Sequence, residues 1–272
     1  MIRHQIILPT AFTERHQRAV EQYIQDAWLT SNEWQYVLQA FDLLGQAQVQ
    51  KEDETRTFAT IYRTVIEEPI AADFLTRLLQ LTDPEREGIP LKAVYARTVT
   101  DRLLRSHWYD PATRHSLYLR AYCIFWWDNF AKGYIFEVAV YRDLKAAGIA
   151  FAAHDITDPN QRHLSFDLLV NDWRGDIKTS PYFLTTARTQ ILRHDFYITR
   201  VYDRARQRRV WVVIMQPEVW AAINGETEAA DLSQAYQLFP TASYFYHRNC
   251  RLVVATYEAW KTKILAYQRG VE

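Results

Sequence analysis

Residues Ser165 to Ser180, SFDLLVNDWRGDIKTS, decide how the chain is read. Leu164, Phe166, Leu168 and Val170 alternate with Ser165, Asp167 and Leu169, the period of two that predicts a half-buried strand. Asn171, Asp172 and Gly175 supply turn chemistry around Trp173 and Arg174. A second short strand then carries Asp176, Ile177 and Lys178. Asp176 and Lys178 are two apart, so they project from one face while Ile177 points to the other. The hairpin therefore gathers two carboxylates, Asp167 and Asp176, and the ammonium of Lys178 at one sheet surface. Converging carboxylates suit a hard cation such as Mg²⁺. A lysine beside them can orient a water or stabilise developing phosphate charge. The competing reading is a surface hairpin whose charges simply face water. Asp172 stays outside the candidate site, because aspartate in a turn is explained by conformation alone.

Upstream, Tyr134, Val138, Tyr141 and Leu144 form one stripe of a helix expected over Tyr134 to Ala147. Glu137 lies within that stripe. Gly133 is expected to separate this helix from the one before it, and Gly148 to end it. Ile149, Phe151 and Ala153 alternate as a first strand. His154 to Asn160 reads as a polar loop whose acids are caps and turn formers.

The order of helix, strand and charged hairpin resembles the PD-(D/E)XK nucleases, the restriction-endonuclease-like superfamily. Their signature is an acid on one strand, a spacer, then Asp or Glu, any residue, and Lys on the next. Here that is Asp167 followed by Asp176-Ile177-Lys178, with Phe166 where the family usually has proline. The resemblance covers about Gly133 to Met215 and rests on four charged residues. It implies an α/β fold, a mixed central sheet flanked by helices in a restriction-endonuclease-like core, with a helical N-terminal region. It also implies hydrolysis of phosphodiester bonds with Mg²⁺ or Mn²⁺, usually leaving a 5′ phosphate. Asp167, Asp176 and Glu137 would hold the metal, and Lys178 would position and polarise the attacking water. DNA is the commoner substrate in the family, endonuclease action the expected mode, and restriction or mobile-element defence the commonest setting. The alternative is a non-catalytic subunit that keeps the fold to bind nucleic acid or protein. A homodimer or larger complex could form through the helical half.

Downstream, Phe196, Ile198 and Val201 predict a strand, and Val210 to Met215 a buried one. Arginines crowd the hairpin between them, notably Arg204, Arg206, Arg208 and Arg209. Guanidinium forks suit phosphate and give a neutral chain a local basic footprint. A solvated turn explains the same run equally well. His194-Asp195 is set aside as a dyad, since neighbours in a strand point to opposite faces. Pro217 to Ile223 reads as a short helix, Leu252 to Ala255 as a last strand, and Thr256 as the cap of a final helix.

The first half reads as helices. Trp34, Val37, Leu38, Phe41 and Leu44 form one stripe, with Ser31 or Asn32 as cap and Gly45 as stop. Phe58, Ile61, Tyr62 and Val65 form another that ends near Pro69, and Phe74, Leu75, Leu78 and Leu79 a third. Asp110-Pro111 reads as a cap followed by proline at the first helical position. Adjacent Trp126 and Trp127 fit a core or interface better than a base-stacking platform. Two domains are expected, residues 1–115 and 116–272.

Composition bounds the rest. The 272 residues are 49% hydrophobic and 14% aromatic, which describes a globular core. Seven glycines and the lack of a G-x-G-x-x-G or G-K-[ST] string argue against a phosphate-binding loop. The formal net charge is zero, so any nucleic-acid surface must be local. Eight histidines without metal spacing and two cysteines in apolar contexts argue against a zinc site or a disulfide framework. No G-x-S-x-G string supports a serine hydrolase. The absence of a secretory signal or a long apolar run leads to the expectation of a soluble, cytoplasmic protein.

Overall fold

Short polar segments make the first sheet, where the sequence pattern shows only helices. Strands β1 (His4–Ile7), β2 (Gln48–Lys51) and β3 (Glu54–Thr57) pair antiparallel in that order. Val49 is the only buried residue of β2, so no period of two is visible. Glu52, with φ of 52°, and Asp53 turn β2 into β3.

The computed structural model describes residues 4–25, 29, 31–158, 160–161, 165–181, 183–186, 192–203, 207–223, 228–229, 242–247 and 250–270. The chain divides into two compact units, Met1–Lys132 and Gly133–Glu272. In the first unit, helices α1 (Glu14–Ile24), α2 (Ser31–Leu44), α3 (Phe58–Ile61), α4 (Glu68–Gln80) and α5 (Pro84–Arg105) accompany the small sheet. Val37, Phe41, Leu44, Phe58, Phe74 and Leu78 are fully buried, as their helical spacing requires. The stripe that starts at Phe58 does not end at Pro69. A π-helical stretch, Tyr62–Glu67, leads straight into α4, and Pro69, which has no N–H to donate, falls where one passes into the other.

Helix α6 (Ser116–Ala146) begins five residues later than Asp110-Pro111 implies. The Asp110 carboxylate instead accepts from Ala112 N at 2.9 Å, closing a turn. The helix then runs unbroken through Gly133. A mid-helix glycine costs only about 1 kcal/mol relative to alanine, and buried Trp127, Ala131, Ile135 and Phe136 flank it on both sides. The division between units thus falls inside α6, beyond the 115/116 boundary expected from sequence. Gly148 ends the helix as expected. Its φ is +77°, its N–H donates to Lys145 O, and Ile149 N donates to Leu144 O, which is a Schellman closure.

Among the described residues, the second unit is an eight-stranded mixed sheet with helices. Its strands are β4 (Ala152–Ala153), β5 (Leu168–Val170), β6 (Trp173–Lys178), β7 (Phe196–Asp203), β8 (Arg208–Met215), β9 (Glu228–Ala229), β10 (Ala242–His247) and β11 (Cys250–Thr256). The spatial order is β4-β5-β6-β7-β8-β11-β10-β9. The pairs β6–β7 and β10–β9 are parallel, the others antiparallel. Among the described residues, helices α7 (Phe183–Thr186), α8 (Pro217–Ala222) and α9 (Tyr257–Gln268) accompany it. Thr256 caps α9, its hydroxyl accepting from Ala259 N at 3.1 Å. Strand alternation sorts the core onto two faces. Leu168, Val170, Ile177, Phe196, Ile198, Val213, Met215, Val253 and Ala255 pack with Phe136, Val140 and Leu144 of α6, Trp220 of α8 and Trp260 of α9. Tyr197, Val201, Val212, Ile214, Leu252 and Val254 form the opposite cluster with Leu184. The architecture is mixed α/β, and no helix among the described residues is long and apolar enough to cross a membrane.

Candidate metal centre

The β5–β6 hairpin opens at one end, and the charged residues sit at that opening. Leu168 pairs with Gly175, so the same register sets Asp167 opposite Asp176. Strand β5 stops at Leu168 rather than extending to residue 164; Leu164 lies outside the described residues. Asp167 N still donates to Gly175 O at 3.0 Å. One residue on, the carboxylate takes over the strand's role, Asp167 Oδ2 accepting from Ile177 N at 2.6 Å. The side chain thus replaces a backbone partner and is fixed against β6. Gly175 is required beside it. A Cβ there would lie 2.2 Å from Cζ of Phe196.

Asp176 and Lys178 share a face of β6, with Ile177 in the core on the other. Lys178 Nζ donates to Asp176 Oδ1 at 2.8 Å. Burial works against the Lys178 ammonium, but Asp176 and then Asp167 outweigh it and hold it above its ordinary value. Tyr197, the register partner of Asp176, accepts from the N–H groups of Arg193 and His194 at 3.1 and 3.2 Å. His194 and Asp195 lie in the bend before β7, not in a strand. Burial pulls His194 down, and the charges of Asp176 and Lys178 both reach it. Asp195 Oδ2 accepts from Arg174 N at 2.7 Å.

Glu137 enters from α6 and is 8% exposed. Tyr141, one turn further on, places its hydroxyl 2.7 Å from Glu137 Oε1 and 2.8 Å from the Asp167 carbonyl oxygen. Its single proton can serve one of the two at a time. His154, in the chain that follows β4, brings Nε2 to 3.4 Å from Glu137 Oε1, with its side chain 3% exposed. Burial lowers His154, opposed by the backbone of Asp167 and Phe166, so the ring is neutral near pH 7 and the pair is not an ion pair there. Its Nδ1 has no partner that meets hydrogen-bond geometry among the described residues.

The electrostatics follow from this crowding. Asp167 is pushed up to about 9, first by burial, then by Glu137 and by a hydrogen bond to Asp176. Glu137 is pushed up to about 7, mainly by burial; Tyr141 and Lys178 pull it down, and Asp176 pushes it up. The four residues expected from sequence, Glu137, Asp167, Asp176 and Lys178, therefore lie within one another's fields. Ligand atoms of Glu137, His154 and Asp167 all lie within 4.8 Å of one another, so these three could hold a metal ion. The donor set fits a divalent cation. A dication among them would favour both ionised carboxylates, carboxylate oxygens suit Mg²⁺ or Mn²⁺, and the imidazole adds a preference for a transition metal.

Periodicity gives no sign of His154. It stands in a polar loop, and its only signal is its place between the first strand and the Asp167 strand. Arg208 and Arg209 are exposed at the start of β8, opposite Asp203 and Tyr202. That is three or more residues along β7 from Thr199, the partner of Lys178. Arg204 and Arg206 lie outside the described residues. Comparison of the chain with protein-family models, curated proteins and solved structures gives no match.

Proposed function

We propose that the unit Gly133–Glu272 is a divalent-metal-dependent nuclease that hydrolyses phosphodiester bonds of DNA, in the manner of the PD-(D/E)XK enzymes it resembles. One observation carries the reading: an opened hairpin and a neighbouring helix bring Asp167, Asp176, Lys178 and Glu137 into one cluster, with Asp176 and Glu137 buried and Lys178 Nζ 2.8 Å from Asp176. Asp167, Glu137 and His154 would hold the cation, with Asp176 beside Asp167 as a further oxygen donor. When bound, the ion would supply positive charge for the phosphate and the attacking water. Asp176 fixes the Lys178 ammonium, which orients the water and offsets charge on the phosphate. Tyr141 ties Glu137 to the Asp167 backbone and so keeps the helix acid in register with the hairpin. The Asp167 bond to Ile177 N does the same for the hairpin acid.

The test is cleavage of supercoiled and linear DNA by the purified protein. Activity is expected with Mg²⁺ or Mn²⁺ and not with EDTA. Asp176→Ala and Lys178→Ala should abolish it while melting cooperatively. Cleavage that survives both substitutions removes this site from the reaction.

A further inference from the structure

Arg174 occupies a position that the metal centre does not use. It lies two residues before Asp176 on β6, so Arg174, Asp176 and Lys178 form one stripe on the same face. Consecutive members of the stripe are about 7 Å apart. The backbone of Arg174 is held at both ends of its peptide link to the β7 approach. Its N–H donates to Asp195 Oδ2 at 2.7 Å, and its carbonyl accepts from Asp195 N at 2.9 Å. Its guanidinium lies 5.7 Å from the centre of the Phe166 ring, next in sequence to Asp167. The side chain is exposed, and it makes no ion pair among the described residues. Its charge nonetheless reaches His194, the ring that also feels Asp176 and Lys178. A cation that is anchored through its backbone, oriented by an aromatic face and left without a carboxylate partner is available to an anion from outside the protein.

We propose that Arg174 binds the phosphate next to the scissile one on the DNA strand, on the side of Asp176 away from Lys178. This rests on the nuclease reading of the same site. The planar fork can donate two parallel hydrogen bonds to phosphate, which sets the strand's position as well as adding affinity. Arg208 and Arg209, at the far end of the β7–β8 ladder, are placed less well for this. They are three or more residues along β7 from the level of Lys178 and two strands away from β6.

The experiment compares wild type, Arg174→Gln and Arg174→Lys. Binding of a short fluorescein-labelled DNA duplex is followed by anisotropy in EDTA between about 50 and 200 mM salt. Cleavage of the same duplex is followed with Mn²⁺, and melting checks the fold. Arg174→Gln should bind about tenfold more weakly. Its plot of log affinity against log salt should flatten by about 0.9, the slope that neutralising a single phosphate supplies. The cleavage defect should appear chiefly in KM. Arg174→Lys should keep the wild-type salt slope but not the full affinity, because a point charge lacks the fork. A folded Arg174→Gln protein with wild-type affinity and slope overturns the proposal. Should the Gln variant fail to fold, a folded Arg174→Lys protein with unchanged affinity and KM overturns it instead. Binding that depends on Arg174 in a protein that never cleaves keeps the phosphate interaction and overturns the nuclease reading. A wild-type protein that neither binds nor cleaves overturns both.

Discussion

Asp167→Asn tests whether the crowded carboxylates form a cation site, and its expected outcome runs against the usual effect of a buried substitution. Asp167 stands at about 9 in the folded protein against an ordinary 3.8. At pH 7 the native state therefore holds a proton that the unfolded chain has released. A raised acid gives stability that is complete below pH 3.8 and is lost as the pH climbs to about 9. The loss is about 1.4 kcal/mol per pH unit, or about 4 kcal/mol between the ordinary value and pH 7. Asparagine resembles the protonated acid. Its carbonyl oxygen can accept from Ile177 N, and its amide can donate to Asp176, the two partners Asp167 has now. The variant avoids the proton cost and should be more stable than wild type at neutral pH. The gain should be a few kcal/mol at pH 7 and should shrink towards pH 4. Urea unfolding in EDTA from pH 4 to 8 measures it. Mg²⁺ or Mn²⁺ adds a second readout. Ligand at a hundredfold excess over its Kd stabilises by about 2.7 kcal/mol, and that gain should appear in wild type and be lost in Asp167→Asn. If the variant unfolds at lower urea than wild type at pH 7, with the same slope against pH, the carboxyl carries no such burden and the cluster is not a cation site.

Glu137→Gln separates two roles for the helix acid. Among the described residues its hydrogen-bond donor is the Tyr141 hydroxyl, His154 and Asp167 lie close by, and no lysine or arginine lies within ion-pair distance. In EDTA the variant should be as stable as wild type or more so, with weaker Mn²⁺ binding by calorimetry; a loss of a few kcal/mol in the melt would mark a structural ion pair instead. Gly175→Ala should cost about 1–3 kcal/mol in urea unfolding through overpacking against Phe196. An unchanged urea midpoint would mean that the ring moves aside freely and that the close approach beside Asp176 sets nothing.

What the sequence revealed and what it hid divide along a physical line. Residues whose position follows a period were found. Asp176 and Lys178 share a strand face, and Glu137 falls in an apolar helical stripe whose inward direction the structure bears out with 8% exposure. Cap and stop residues such as Gly148 and Thr256 acted as their local chemistry requires. Features that no period of apolar residues decides were misread. Asp110 chose a turn over a cap, Gly133 failed to interrupt a helix with buried flanks, and the four-residue strands of the first unit carried too few apolar residues to show a period. His154 belongs to the same group, because a loop residue's direction is set by what it packs against.

The hairpin shows why the charged set could be read while its geometry could not. Alternation from Leu164 to Val170 predicts a strand that carries Asp167 as one of its outward residues. In the folded protein the strand ends at Leu168, and the Asp167 carboxylate bonds to the Ile177 N–H. That exchange of a backbone partner for a side chain ends the β5 ladder where the acids meet. A fully paired strand would leave Asp167 and Asp176 as cross-strand neighbours on a sheet surface, where two like charges repel at some cost. With the ladder ended, Glu137 and His154 come within 4.8 Å of Asp167, burial replaces solvent, and the carboxyl rises to about 9. The chemistry of the site therefore follows from the point at which the strand stops pairing, which the alternation of side chains does not encode.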